Sequence, residues 1–301
     1  MASVAAMTVI IGGANGLIGS AVLRALRNRG DEVVALVRRP ASAGEVRWDG
    51  RSVPAGVIDG ADAAVNLSGA NIGARRWTDE YKKEITESRV QSTRAFVEAI
   101  RAARRKPRVF VNASAVGVYG GRGDEEVTET SAPGHDFLAD VCKASEAEAA
   151  RAEELGVRTV LLRTGVVLAR EGGALKQMLP PFKAFVGGPI GSGRQWLPWI
   201  HLADEVALIL WALDGAVRGP LNAVAPAPVR MKDFAHTLGR ALHRPAFFAV
   251  PPLVLRIGLG EMAEVLLEGQ RAVPKKALEA GFRFRFSELE PALRDLVGAR
   301  A

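Results

Sequence analysis

The chain has 301 residues and a mass of 32.0 kDa, which admits two domains or one large α/β unit. With 48% hydrophobic and 24% charged residues it is not a disordered, collagen-like or disulfide-scaffold protein. Its 40 basic and 33 acidic residues leave a net charge of +7, which suits phosphate-bearing ligands but is spread along the chain. The lone cysteine, Cys142, can build neither an internal disulfide nor a Cys-based zinc site. No apolar run approaches the roughly 18 residues of a membrane span, and Met1 to Met7 lacks the length and basic flank of a secretory signal. These features predict a cytoplasmic protein with neither membrane nor nucleic acid as a partner.

Thr8-Val9-Ile10-Ile11, stopped by Gly12-Gly13, has the pattern of a buried strand. Ser20 to Arg29 then sets Ala21, Val22, Ala25 and Leu26 at helical spacing, and Gly30 ends that helix. Further strands are expected at Glu32 to Val37, Ala63 to Leu67, Val109 to Ala113 and Val157 to Leu162. The densest basic run, Arg101, Arg104, Arg105, Lys106 and Arg108, has the cations and the proline of a helix C-terminus. It lacks the interleaved aromatics of a nucleic-acid site. Strands alternating with helices predict a Rossmann-type, doubly wound α/β fold with a parallel sheet covered on both faces.

After about Ala169 the texture changes. Residues 171–199 hold Gly172-Gly173, Pro180-Pro181, Gly187-Gly188-Pro189 and Gly191-Ser192-Gly193, the composition of a loop-rich lining with some helix. Helix resumes over 200–214 and a strand over Gly219 to Ala225. The remainder mixes helices with Pro251-Pro252 and a Phe282-Arg283-Phe284-Arg285-Phe286 alternation. The expected division is a cofactor domain at 7–170, with 200–225 returning to it, and a smaller substrate lobe from 171–199 and 226–299.

Gly13-Ala14-Asn15-Gly16-Leu17-Ile18-Gly19 is a glycine triplet between the first strand and the first helix. There the early glycines permit a tight turn and close approach to a pyrophosphate, and the last lets helix and strand pack. The helix N-terminus adds unpaired N–H groups and a positive dipole end. Asn15, Leu17 and Ile18 belong to the same cradle. The second strand ends in Leu36-Val37-Arg38-Arg39-Pro40, with no acid for a ribose 2′-hydroxyl. A guanidinium can instead hold a 2′-phosphate, so the expected cofactor is NADP(H), beside Val37, Arg38 and Arg39.

With these residues the chain resembles an extended short-chain dehydrogenase/reductase. More narrowly, it resembles the epimerase family protein branch that ends in a small C-terminal domain. The resemblance runs over nearly the whole length, through Asn66 to Ile72, Arg76-Trp77-Thr78, Ser88-Arg89-Val90, Asn112 to Gly120 and Leu162 to Leu168. It continues through Gly187 to His201, its most specific stretch, and Gly281 to Phe284. It implies that Leu67 and Ser68 border the adenosine half of the cofactor. Glu84 and Arg89 follow on the next helix, Ser114 takes the catalytic serine position, and Thr164, Gly165 and Val167 lie near the nicotinamide.

The superfamily's Tyr-x-x-x-Lys pair is missing. Its lysine lowers the tyrosine pKa so that the phenol can exchange a proton with substrate, but only Tyr81 and Tyr119 exist here, followed four residues later by Ile85 and Gly123. On the segment from Phe137 to Glu146, one register puts Ala139 and Lys143 at the pair, and the other puts Leu138 and Cys142 there. Tyr119 is either substrate-side packing or a substitute acid. His201 is either a backbone-bonded structural histidine or part of the site. Arg194, Trp196 and Trp199 either close over an anionic or ring-bearing substrate or anchor the two lobes. His135, His236 and His243 have no metal-ligand spacing, and no metal is expected. Two functions remain: an NADP-dependent oxidoreductase or epimerase-like enzyme acting on a small molecule, or a catalytically lapsed NADPH-binding regulator. Either would be a monomer or homodimer.

Overall fold

The computed structural model describes residues 6–298; residues 1–5 and 299–301 lie outside that description, and with them most of Met1–Met7 and the last residue of the 226–299 lobe. Five parallel strands come first: β1 (Thr8–Gly12), β2 (Glu32–Val37), β3 (Glu45–Arg47), β4 (Ala63–Asn66) and β5 (Val109–Ala115). The short β6 (Glu126–Val127) stands outside this sheet. β7 (Arg158–Thr164) rejoins it. After β8 (Val166–Leu168), β9 (Trp196–Leu197) and β10 (Trp199–His201), β11 (Gly219–Ala223) completes it in the order β11-β7-β5-β4-β1-β2-β3. Two strands remain, β12 (Val229–Arg230) and β13 (Arg271–Ala272).

Neighbouring residues of β1 show why the sheet needs two covers. Val9 and Ile11 pack on one face with Val22 and Leu26 of α1 (Leu17–Arg29). Ile10 packs on the other with Phe96 and Ile100 of α2 (Asp79–Ala102). α3 (Phe137–Ala150) lies beside α2. The basic run after α2 is neutralised locally: Arg104 pairs with Asp59 at 3.1 Å and Arg108 with Asp62 at 3.7 Å.

The lobe begins with α4 (Gly173–Lys183), which carries Pro180 and Pro181 inside its last turns. This was the loop-rich stretch. Leu175 and Phe182 bury one face of it, and that burial holds a helix whose composition argues against one. α5 (Leu202–Asp214) returns to the sheet domain beside α1, burying Leu208, Ile209 and Ala212. α6 (Met231–Leu242), α7 (Pro252–Leu259), α8 (Met262–Leu267), α9 (Lys275–Glu279) and α10 (Leu289–Val297) follow. Phe234 and Leu238 of α6 share a core with Leu293 and Leu296 of α10.

The Phe282–Phe286 alternation divides its rings between two cores: Phe282 and Phe284 join the sheet domain, and Phe286 joins the lobe. Ala277 and Phe282 belong to the sheet-domain core, with Phe282 5.5 Å from Trp211.

Candidate functional site

The C-terminal ends of β1, β2, β4, β5 and β7 open along one edge of the sheet, where the loops carry the chemistry. Gly13 adopts φ +78°, and a Cβ there would collide with the backbone carbonyl of Leu67. A Cβ on Gly19 would fall on the carbonyl oxygen of Gly13. Only glycine permits this crossing of turn, strand and helix. Gly16 caps α1 without a side-chain hydrogen bond, and the first turn carries no acid. Unpaired N–H groups and the positive dipole end therefore face outward, a ready anion site.

At the end of β2 the two arginines part company. Arg39 donates to both carboxylate oxygens of Glu45, at 2.5 and 2.8 Å. Arg38 is exposed and, among the described residues, has no ion-pair partner. Glu45, on the short edge strand β3, claims Arg39 in a way the sequence did not signal. Its carboxyl pKa is lowered, first by the Arg39 hydrogen bond.

Beyond β4, buried Asn66 donates to Asn112 at 2.9 Å and accepts the Ser68 N–H at 3.1 Å, which fixes the Leu67–Ser68 turn. Among the described residues the buried Ser68 hydroxyl has no partner. Arg89 lies against Gly69 and donates to the Ile85 carbonyl at 3.2 Å, with no carboxylate beside it. Burial pulls its pKa down. An unpaired, partly buried guanidinium suits an anionic cofactor. Glu84 turns away: it is exposed and bonded to Arg75 at 2.9 Å.

The hydroxyl of Ser114, near the end of β5, donates to Glu146 at 2.6 Å. Arg163 of β7 clamps the same carboxylate with two bonds, 2.9 and 2.8 Å. Cys142 also faces Ser114, and its thiol pKa is raised by burial. The face of α3 toward Ser114 is therefore set by Cys142 and Glu146, which favours the register with Leu138 and Cys142 at the missing pair. Lys143 points elsewhere, bonded to the Gly134 carbonyl at 3.1 Å and Asp140 at 2.7 Å.

Tyr119 is fully buried. Its hydroxyl donates to Asn222 at 2.7 Å and accepts from Arg163 at 2.9 Å, and burial raises its pKa. This places it as an interior brace rather than beside a ligand. Asn222 in turn donates its backbone N–H to Glu129 at 3.1 Å, so a continuous polar chain runs from Ser114 through Glu146, Arg163 and Tyr119 to β11.

Thr164 donates to Glu205 at 2.8 Å. Glu205 is wholly buried in the first turn of α5, its second oxygen lacks a partner, and burial pushes its pKa up to about 8. A Cβ on Gly165 would strike the Pro198 carbonyl, so this strand end and the lobe meet backbone to backbone. His201 accepts the Ala203 N–H at 3.0 Å through Nδ1 and stacks on Phe286, and burial lowers its pKa. Trp199 is buried in the lobe core and donates to the Ala227 carbonyl at 3.0 Å. Both are structural supports in this arrangement.

Arg194 is different. It lines a cavity of about 460 Å³ with Gln195, Arg230, Asp124 and Glu268, between the loop after Tyr119 and the lobe. Trp196 stands next to it, donating to Asp124 at 3.0 Å beneath the guanidinium of Arg230. Among the described residues no group of three His, Cys, Asp or Glu side chains could hold a metal ion.

A profile of the NAD dependent epimerase/dehydratase family matches residues 9–224. The chain belongs to that family. Residues 250–296 match a domain of unknown function, DUF1731. An epimerase family protein of Mycobacterium leprae, ML0860, is 42% identical over 290 residues, covering 95% of this chain and 94% of the relative. A chloroplastic relative from Arabidopsis thaliana is 40% identical, over 97% of this chain and 87% of its own. The crystal structure of human epimerase family protein SDR39U1 with NADPH superposes with a TM-score of 0.91 at 38% identity, over 97% of this chain and 99% of that one. The extended short-chain dehydrogenase/reductase fold and its small C-terminal region are thereby established for this chain.

Proposed function

We propose that this protein binds NADP(H) at the C-terminal edge of its sheet and acts as an oxidoreductase or epimerase-like enzyme on a small molecule held against the lobe. The observation that carries this reading is an uncapped, acid-free helix start behind Gly13–Gly19, beside a strand end where Arg38 has no ion-pair partner. The NADPH bound in the crystal structure of the human relative supports it. Gly13, Asn15, Gly16, Leu17, Ile18 and Gly19 would cradle the pyrophosphate, and Arg38 would hold the 2′-phosphate beside Val37. Leu67 and Ser68 would border the adenosine, and Arg89 would add a second cation. Thr164, Gly165 and Val167 would flank the nicotinamide, which when bound supplies or accepts a hydride.

The chain's own residues then set what the substrate must offer. Ser114 has committed its proton to Glu146, so it presents oxygen lone pairs to a ligand and best meets a hydroxyl group. Arg194 lines the cavity with Arg230, beside Trp196, whose ring lies under the Arg230 guanidinium. A second reading, a lapsed NADPH-binding regulator, is favoured by one observation: the Tyr119 hydroxyl is shared between Asn222 and Arg163 and has no exposed surface.

Two measurements test these readings. NADPH should bind more tightly than NADH, Arg38→Asp should abolish that preference, and Arg39→Ala should leave it nearly intact. Equal affinities in the unmutated protein would refute the cofactor assignment. Sustained NADPH turnover against a carbonyl and nucleotide-sugar panel, lost in Ser114→Ala, supports the enzyme; tight binding without turnover supports the regulator.

A further inference from the structure

The tip of the C-terminal lobe carries an apolar surface without a partner among the described residues. Phe247 is 82% exposed and Ile257 68% exposed, with Phe248 and Leu253 also more than half exposed. Phe185 and Val186 stand beside them, because the backbone at 187–190 runs along 248–250: Phe248 N–H donates to Gly187 O at 3.2 Å and Val250 N–H to Pro189 O at 2.9 Å. α7 begins two residues later and buries none of its eight residues. So short a helix has little stability of its own, and an apolar cluster of this kind marks an interaction surface.

The segments that build the tip supply only cations of their own. Segments 172–203 and 234–260, which build it, contain six Lys or Arg residues and no Asp or Glu, in a chain with 33 acidic residues. Carboxylates from elsewhere reach two of the six, Glu290 to Arg240 at 3.8 Å and Glu264 to Arg256 at 2.8 Å. Among the described residues Lys183 and Arg244 have no ion pair, and Arg244 lies 4.4 Å over the Phe185 ring.

From this juxtaposition we propose that the lobe tip docks on the surface of an anionic lipid bilayer, Phe247 and Phe248 entering the interface and Lys183 and Arg244 meeting lipid phosphates. Exposed rings and aliphatics flanked by cations are the chemistry of interfacial binding. A second copy docking through this patch would set cation against cation. A nucleic acid has no use for Leu253 and Ile257. Contact is peripheral, since among the described residues no helix is long and apolar enough to cross a membrane.

The test is co-sedimentation of the full chain with vesicles of equal parts phosphatidylglycerol and phosphatidylcholine, against phosphatidylcholine alone. Anionic vesicles should retain the protein. Phe247→Ser with Phe248→Ser, and separately Lys183→Glu with Arg244→Glu, should each weaken retention about tenfold or more. NADPH affinity and melting temperature serve as controls for folding in both variants. Absence of retention by anionic vesicles overturns the proposal. So does equal retention by neutral vesicles, or concentration-dependent dimerisation that the Phe variant abolishes while vesicles bind neither form.

Discussion

The bidentate pair between Arg163 and Glu146 offers the sharpest test of how the site is held. Their side chains are 9% and 11% exposed, and the carboxylate has three donated bonds, two from Arg163 and one from Ser114. Arg163→Met removes two of them and strands a carboxylate in the interior. It also deprives the Tyr119 hydroxyl of its donor. Breaking one side of a buried pair destabilises by about 3–5 kcal/mol, and the lost charge-assisted bond to Tyr119 adds to it. Because both side chains keep a little solvent contact, we expect about 3 kcal/mol in urea unfolding at pH 7. Glu146→Leu combined with Arg163→Met removes both charges and should recover to within about 1–2 kcal/mol of the parent. A single-variant loss below about 1 kcal/mol, or simple additivity in the double variant, would refute the claim that this pair organises the site.

Glu205 makes the fold pH-dependent. Its folded pKa of about 8 lies above its ordinary value of 4.5, so it stays protonated in the fold while an unfolded chain releases the proton. Its contribution is fully present below about pH 4.5 and is lost as pH rises toward 8, on the order of 4–5 kcal/mol across the window. Glu205→Gln should flatten that slope between pH 5 and 8 and be the more stable form at the upper end, measured by urea unfolding at both; an unchanged slope would sink the argument. Gly19→Ala places a methyl on the Gly13 carbonyl and should cost about 1–3 kcal/mol while weakening NADPH binding, read by melting temperature and by fluorescence titration.

The sheet was legible because its strands are buried on both faces and so appear as unbroken apolar runs. The glycine loop was legible because its steric demands show directly as residue identity. β3 left no trace: two half-exposed residues and one exposed one at an edge carry no pattern. The α4 helix was hidden by Pro180-Pro181, which tertiary burial of Leu175 and Phe182 overrides. Within the site, the end of β1 followed from glycine spacing and that of β2 from its arginines and its lack of an acid, while the end of β4 was implied only by the family resemblance. The Ser114–Glu146 bond did not, since it joins residues 32 apart and depends on how α3 is rotated against β5. Glu205 did leave a signal. It precedes Leu208 and Ile209 by three and four residues and Ala212 by seven, so it lies on the inward stripe of α5.

Asp204, beside it in the chain, faces another way. Its two carboxylate oxygens receive the backbone N–H groups of Arg285 and Phe286, at 2.8 and 2.9 Å. The carboxyl-terminal tail is thus stapled to a helix that itself buttresses the sheet. Truncation before residue 280 would leave that carboxylate without both donors and strip Phe282 from against Trp211. These residues thus brace α5 from outside the sheet, whose last strand, β11, ends at Ala223.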